Sequence, residues 1–296
     1  MQRLARFFVL LFLLQLALAA PALAHGDARP EKQAILLVAF GSSMPEGQKA
    51  LKAFDATVRR AYPGMEIRWA WTSRIIRDKL TAAKTAHPES PALALARLAE
   101  DGYTQVAVQS LHSIPGEEFS DLEDTVARFQ GMPKGLRKIT LGQPLMTSPE
   151  DIQRAAKALL ESQGKRKPDE AVIFMGHGTP HSGNAMYPAL QYHLWLLDPD
   201  AFVATVEGVP SLDDVLPLLA RHKIRSARLV PLMAVAGDHA HNDMAGKEED
   251  SFASRLKAQG IASTPVLQGL AETPAVAAFW LEHLRRAVAA LQDEPK

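Results

Sequence analysis

Two histidines and a glutamate follow apolar runs in the second half of the sequence, and together they could bind a divalent metal ion. His177 stands in a Gly-His-Gly sequence after the run 171–175, and Glu207 and His239 follow the next two runs. Short uninterrupted apolar runs predict strands that are buried on both faces of a parallel sheet. Neighbouring strands lie about 4.8 Å apart, so side chains at their carboxyl ends can converge on one ion. Two imidazoles and a carboxylate suit Co, Fe, Ni or Zn and leave positions open for a substrate.

Each of these residues also has a plainer interpretation. A histidine at a strand end can be a core residue that is satisfied by a backbone partner, and Glu207 before Gly-Val-Pro can be a solvated turn residue. His241 can simply be exposed, and Asp243 can cap the following helix. The recurrence of histidine at two strand ends favours the metal site.

Strands and helices alternate along the chain, which predicts parallel sheets with right-handed crossovers. The predicted strands are residues 34–40, 65–71, 104–110, 138–141, 171–175, 202–206, 227–232 and 264–267. The predicted helices are residues 45–62, 73–86, 91–101, 117–129, 148–162, 185–196, 211–222, 250–259 and 273–291. The polar segment 164–169 is predicted to link an N-terminal lobe (25–163) to a C-terminal lobe (170–296).

The two halves look like copies of one α/β plan. Residues 34–42 align with 171–179 without a gap, so Phe40 corresponds to His177. Residues 110–118 lie beside 231–239 in the same way, so Glu118 corresponds to His239. We therefore expect two similar lobes, each a small parallel sheet flanked by helices, with a cleft between them. The chemical site should lie on the second lobe, and Glu118 should approach it from the first.

The N-terminus has the pattern of a secretory signal peptide. Arg3 and Arg6 precede the apolar stretch 7–18, which is followed by Ala22-Leu23-Ala24. We predict cleavage after residue 24, a mature periplasmic chain from His25, and no stable membrane insertion afterwards, because the stretch is too short to span a bilayer.

Composition excludes several classes of function. The chain of 296 residues has no cysteine, which excludes disulfides, thiolate metal sites and cysteine nucleophiles. Its formal net charge of zero argues against nucleic-acid binding. The sequence lacks a Walker A motif, a G-x-G-x-x-G after the first strand and a G-x-S-x-G elbow, which disfavours nucleotide binding and serine hydrolysis. The Arg-His-Gly form of histidine phosphotransferases is also missing.

Five segments resemble the class II chelatases of tetrapyrrole synthesis, in particular the anaerobic sirohydrochlorin cobaltochelatases of CbiK type. They are residues 36–42, 109–119, 174–178, 206–207 and 231–244, of which the last is the most specific. The resemblance extends over almost the whole mature chain. It implies a bilobal α/β fold with a small-molecule tetrapyrrole in the interlobe cleft. It also implies insertion of Co²⁺, or Fe²⁺, into sirohydrochlorin or its oxidised form.

The resemblance places the family's catalytic histidines at His177 and His239 and its acidic site positions at Glu118 and Glu207. We expect His177, Glu207 and His239 to bind the metal, one histidine to accept pyrrole protons, and Glu118 to orient the ring or relay protons. No cofactor is required, because the metal ion is a substrate. The further candidates for substrate binding are Ser43, Arg74, Arg77 and His112.

The predicted signal peptide departs from the resemblance, because tetrapyrrole synthesis is normally cytoplasmic. Two alternatives therefore stay open. A ferrochelatase for sirohaem would use the same ligands, and a periplasmic protein that binds metal or haem without turnover would carry the same leader. The sequence also leaves open whether the chain forms a homo-oligomer.

Overall fold

Eight short strands form two separate parallel sheets with the same strand order. The computed structural model describes residues 29–293, so the predicted signal peptide and the predicted start at His25 lie outside the described residues. The first sheet contains β1 (Gln33–Ala39), β2 (Glu66–Trp71), β3 (Gln105–Ser110) and β4 (Lys138–Gly142) in the order β2-β1-β3-β4. The second contains β5 (Glu170–Gly176), β6 (Ala201–Thr205), β7 (Ser226–Pro231) and β8 (Ala262–Pro265) in the order β6-β5-β7-β8. The predicted α/β class with two similar parallel sheets is confirmed.

Helices flank both sheets. In the described residues they are α1 (Pro45–Ala61), α2 (Arg74–Ala82), α3 (Pro91–Glu100), α4 (Glu117–Phe129), α5 (Pro149–Ser162), α6 (Met186–Leu197), α7 (Leu212–Arg221), α8 (Phe252–Ala258) and α9 (Pro274–Leu291). Serine N-caps begin several of them: the hydroxyl oxygens of Ser73, Ser90 and Ser148 each accept a backbone N–H from the first turn. None of these helices is long and apolar enough to cross a membrane.

The two sheets share one hydrophobic core. Alternate residues of a strand point to opposite faces, and in β1 Ile35 and Leu37 join a cluster that also contains Val172 and Phe174 of β5. The outer face of each sheet has a separate cluster under its own helices. The halves are therefore packed against each other through their inner faces.

The last helix crosses from the second half back to the first sheet. α9 packs against β3 and β4, where the Thr140 hydroxyl donates to the carbonyl of Ala287 at 2.7 Å. The indole N–H of Trp280 donates to the carbonyl of His112 at 3.2 Å. Residues Lys32–Lys296 accordingly form one compact unit. The proposed lobe limits at 163 and 170 stay a prediction.

Element bounds differ from the prediction mainly at three places. The helix predicted over 73–86 covers only Arg74–Ala82. β8 covers Ala262–Pro265 rather than 264–267, because its pairing with β7 begins at Ala262 opposite Ser226. After β7, a π-helical turn at Ala240–Met244 was not predicted. This turn follows His239 and shapes the candidate site.

Candidate metal centre

His177 lies at the carboxyl edge of the second sheet, directly after β5. Gly176 ends that strand, and Gly178 has a φ of +84°, which a residue with a side chain rarely adopts. A Cβ at Gly178 would also lie 2.5 Å from the amide nitrogen of Gly208. Glycine at position 178 is therefore required by the backbone turn and by its close contact with the neighbouring strand end.

This close contact places the backbone of Glu207 beside His177. The Glu207 amide donates to the His177 carbonyl at 2.8 Å. Asn184 joins the two loops, because its Nδ2 donates to the Val209 carbonyl at 2.8 Å while its Oδ1 accepts the Thr179 amide at 3.3 Å. The Glu207 side chain itself is exposed.

His239 reaches the same edge from the loop after β7. It precedes the π-helical turn Ala240–Met244, and its Nδ1 lies 2.7 Å from Oδ2 of Asp243. π-helical turns are rare and occur frequently at functional sites. Here the turn brings the carboxylate of residue 243 against the imidazole of residue 239.

The imidazole rings of His177 and His239 pack against each other edge to face. Their centroids are 4.5 Å apart, with an interplanar angle of 86°. Nδ1 of His177 lies 2.8 Å from the carbonyl oxygen of Gly178, so this nitrogen must carry the proton. The Asp243 carboxylate favours the same tautomer for His239. In the neutral form, both rings therefore keep the lone pair of Nε2 available for a metal ion.

Glu207, the third predicted ligand, does not form a cluster with the two histidines. Among residues 29–293, no group of three or more His, Cys, Asp or Glu side chains is close enough to hold an ion. The paired imidazoles are thus the preformed part of the centre. The ligand role of Glu207 stays a prediction.

The first half contacts this centre through the loop before α4, whose first turn contains Glu118. A Cβ at Gly183 would collide with the Pro115 carbonyl, and one at Gly116 would lie 3.9 Å from the Thr179 methyl group. The loop is therefore pressed against the segment that follows His177. Glu118 follows two residues after Gly116 and is partly exposed; its catalytic role stays a prediction.

α2 approaches the His239 loop from the first half. Lys79 Nζ lies 3.7 Å from Oδ2 of Asp238, next to His239. Two large apolar side chains are exposed nearby in sequence: Phe40, which follows β1, by 44%, and Ile75 in the first turn of α2, by 79%. α2 and the end of β1 thus carry an ammonium group and exposed apolar side chains.

The two predicted arginines have different surroundings. Nη1 of Arg77 donates to the carbonyl of Thr72 at 2.7 Å and also to that of Trp71, so it fastens the end of β2. The side chain of Arg74 is 85% exposed and lies 3.5 Å from Asp78. Such a surface pair is weak, so Arg74 is free to exchange its partner. Substrate binding by either residue stays a prediction.

Ser43 and His112 have buried polar atoms. The Ser43 hydroxyl and Nε2 of His112 are buried without a hydrogen-bond partner. Nδ1 of His112 lies 2.8 Å from the Ser110 hydroxyl. Burial lowers the pKa of His112 to about 4, so this ring is neutral near pH 7. These contacts agree with a buried, hydrogen-bonded histidine, and the substrate role of both residues stays a prediction.

The sequence analysis did not identify Lys79 or Tyr187 as residues near the site. It also did not predict that Asp243 pairs with His239. Tyr187 packs against Gly176, where burial raises its pKa while the backbone amides of Gly178 and His177 lower it. The spacing of four residues between His239 and Asp243 was a readable signal for a pair on one helical face.

Comparison with known proteins identifies close relatives. Residues 33–289 match the family described as cobalt chelatase (CbiK). Sirohydrochlorin cobaltochelatase CbiKC of Nitratidesulfovibrio vulgaris (strain Hildenborough) is 44% identical over 265 residues, covering 88% of this chain and 93% of that protein. Sirohydrochlorin cobaltochelatase of Salmonella typhimurium (strain LT2) is 36% identical over 258 residues, covering 87% and 97%.

Solved structures share the fold at lower identity. SirB from Bacillus subtilis with Fe³⁺ has a TM-score of 0.57 and 16% identity, covering 87% of this chain and 96% of that one. The sirohydrochlorin chelatase SirB from the subspecies spizizenii, in complex with cobalt, has a TM-score of 0.59 and 17% identity with the same coverage. The two-lobed arrangement described above is therefore a chelatase fold.

Proposed function

Because the chain belongs to the cobalt chelatase (CbiK) family, we propose that it inserts Co²⁺ into sirohydrochlorin. One observation carries the proposal: the imidazoles of His177 and His239 pack edge to face with their centroids 4.5 Å apart, and the Nδ1 atom of each ring has its own hydrogen-bond acceptor. A pair of neutral Nε2 lone pairs can bind a borderline metal ion while leaving its other positions to water and substrate.

The reaction replaces two pyrrole protons by one divalent ion. His177 and His239 bind Co²⁺ at one face of the macrocycle, and Glu207 completes the set of ligands from the adjacent strand end. As the pyrrole nitrogens displace the remaining water, one imidazole is released from the ion and accepts the two pyrrole protons in turn, passing the first to solvent before it takes the second. Glu118 orients the ring or relays protons from the opposite lobe. Two protons leave the site for each ion inserted.

The surroundings of the site favour an acidic macrocycle. Lys79 is paired only loosely with Asp238, since their charged atoms are 3.7 Å apart and both side chains are largely exposed. A substrate carboxylate can therefore compete for this ammonium group, and Arg74 offers a second cation nearby in sequence. The exposed side chains of Phe40 and Ile75 provide apolar surface for the flat ring.

Turnover distinguishes this function from its rivals. Purified protein is mixed with an excess of sirohydrochlorin and Co²⁺, Fe²⁺ or Ni²⁺, and the absorption of the metallated product is followed. We expect many product molecules per chain with Co²⁺. Faster insertion of Fe²⁺ would favour the ferrochelatase for sirohaem, and a stoichiometric change that then stops would favour a carrier of metal or haem.

We also propose that the chain acts in the periplasm. The basic residues at positions 3 and 6, the apolar stretch 7–18 and Ala22-Leu23-Ala24 support this proposal. N-terminal sequencing of the exported protein should start at His25. A sequence that starts at Met1 would contradict export by cleavage.

A further inference from the structure

Asp243 directs its carboxylate at His239 rather than at a helix end. Its Oδ2 is 2.7 Å from Nδ1 of the imidazole, and the two side chains are 41% and 35% exposed. The following helix, α8, is capped instead by Ser251, whose hydroxyl oxygen accepts the Ser254 amide at 3.1 Å. Helix capping therefore does not account for this carboxylate.

The turn between the two residues is anchored in the core. Ala240 and Met244, the first and last residues of the π-helical turn, are completely buried in the cluster on the outer face of the second sheet. The Ala245 amide closes the turn by donating to the Ala240 carbonyl at 3.2 Å. Because the backbone on both sides of Asp243 is fixed in this way, its carboxylate has a defined position relative to the imidazole.

We infer that Asp243 is a positioning residue that acts through His239. It accepts the proton of Nδ1, fixes the orientation of the ring and keeps the Nε2 lone pair directed at the metal ion; a carboxylate in this position also strengthens the imidazole as a ligand. His177 has only the Gly178 carbonyl at the same position. The inference rests on the proposed function, because it assigns Asp243 a part in binding the Co²⁺ that is inserted.

The test is the Asp243→Asn substitution in the full chain, which keeps the size of the side chain and removes its charge. We expect Co²⁺ affinity, measured by calorimetry without macrocycle, to fall about 10- to 100-fold. We expect kcat to fall with it, while KM for sirohydrochlorin stays within about twofold of the wild-type value, because Asp243 acts on the ion and not on the macrocycle. The melting temperature should change by no more than about 2–4 °C, since the side chain is largely exposed.

The chain offers a matched control. Oδ1 of Asp200 lies 2.7 Å from Nδ1 of His222, and the two side chains are 29% and 32% exposed. Asp200 precedes β6, so this pair lies at the opposite edge of the second sheet from the metal centre. Asp200→Asn removes a carboxylate–imidazole pair of the same length and should leave Co²⁺ affinity and kcat unchanged.

Two results would overturn the inference. One is an Asp243→Asn protein with the Co²⁺ affinity and kcat of the Asp200→Asn control. The other is a protein with normal Co²⁺ affinity but a lower melting temperature and altered KM, which would mean that Asp243 only supports the loop. Failure of the wild-type protein to bind Co²⁺ or turn over would instead overturn the proposed function, and the inference with it.

Discussion

The carboxyl edges of the two sheets have the same backbone plan but different side chains. At the first strand end, β1 leads to Phe40 and Gly41, whereas β5 leads to His177 and Gly178. Both glycines have positive φ, +99° and +84°, and both pack closely on the end of the neighbouring strand region. The backbone turn is thus common to both halves, and the imidazole proposed to bind metal stands only in the second.

The difference continues at the third strand. In the second half, the loop after β7 ends in the His239–Asp243 pair. In the first half, the loop after β3 contains His112, whose ring is buried and bonded to Ser110. At this strand end, the second half therefore exposes an imidazole paired with a carboxylate, while the first half buries its imidazole.

The largest expected effect is loss of the paired imidazoles. His177→Ala or His239→Ala should reduce cobalt insertion at least about tenfold, because each removes a ligand or the essential base. The fold should persist, since both residues lie at strand tips and are partly exposed. Steady-state assays measure the loss, with His222→Ala as a control outside the site. More than about a tenth of wild-type activity in either variant would contradict the assignment of His177 and His239 to the active site.

A second substitution tests the shared backbone turn. Gly178→Ala forces a positive φ, which costs about 1–2 kcal/mol, and adds a clash with the Gly208 amide. Gly102→Ala is the matched control, because Gly102 has a φ of +81° with open space around its Cα. Denaturant unfolding should show a larger loss for Gly178→Ala, accompanied by weaker Co²⁺ binding. Equal losses of stability would mean that the close contact is unimportant.

Gly41 is the counterpart of Gly178 in the first half, and replacing it with alanine tests whether the two turns differ in their effect on Co²⁺ binding. Gly41→Ala would bring a Cβ within 2.6 Å of the Trp71 ring. We expect reduced stability, as for Gly178→Ala, but unchanged Co²⁺ affinity. Weaker Co²⁺ binding in this variant would show that the first half contributes to the ion site.

His112 should make the protein sensitive to acid. Its folded-state pKa of about 4 lies below the unfolded value of about 6.5, so the unfolded state binds more protons between these values and stability falls as the pH is lowered. The shift corresponds to up to about 3 kcal/mol. Unfolding free energies measured from pH 6.5 to 4 should fall less steeply in His112→Asn. Parallel curves for the two proteins would contradict the structural role of this ring.

The smallest expected effect comes from placing a histidine in the first half. Phe40→His should not create a second cobalt site, because a single imidazole provides too few ligands for tight binding. Calorimetry should detect one equivalent of tightly bound Co²⁺, as in the unsubstituted chain. A second tight equivalent would show that the two edges are more alike than their side chains indicate.

The sequence predicted the positions of the strand ends better than the contacts made there. Apolar runs and the alignment of Phe40 with His177 were sufficient to predict two parallel sheets, because burial on both faces leaves a strong pattern. The passage of α9 to the first sheet was not readable, since Thr140 and Ala287 meet only through long-range packing.

The hydrogen-bond partners of side chains at the site were also hard to predict, because they depend on tertiary geometry. Arg77 was expected to bind substrate, yet its Nη1 atom is bonded to main-chain carbonyls at the end of β2. The spacing of four residues suggests that Asp243 and His239 could pair, but the π-helical turn that brings them together has no periodic apolar pattern that would reveal it. Hydrogen-bond partners of this kind follow from local geometry, which residue types alone do not determine.

We expect the cobalt site to lie only at the edge of the second sheet. Crystals of the protein soaked in Co²⁺ and measured at the cobalt absorption edge would locate the ion directly. We predict one anomalous peak at about 2.0–2.1 Å from Nε2 of both His177 and His239, the range of zinc–imidazole bonds in proteins. A peak at the edge of the first sheet, or one without both imidazoles as ligands, would contradict this account.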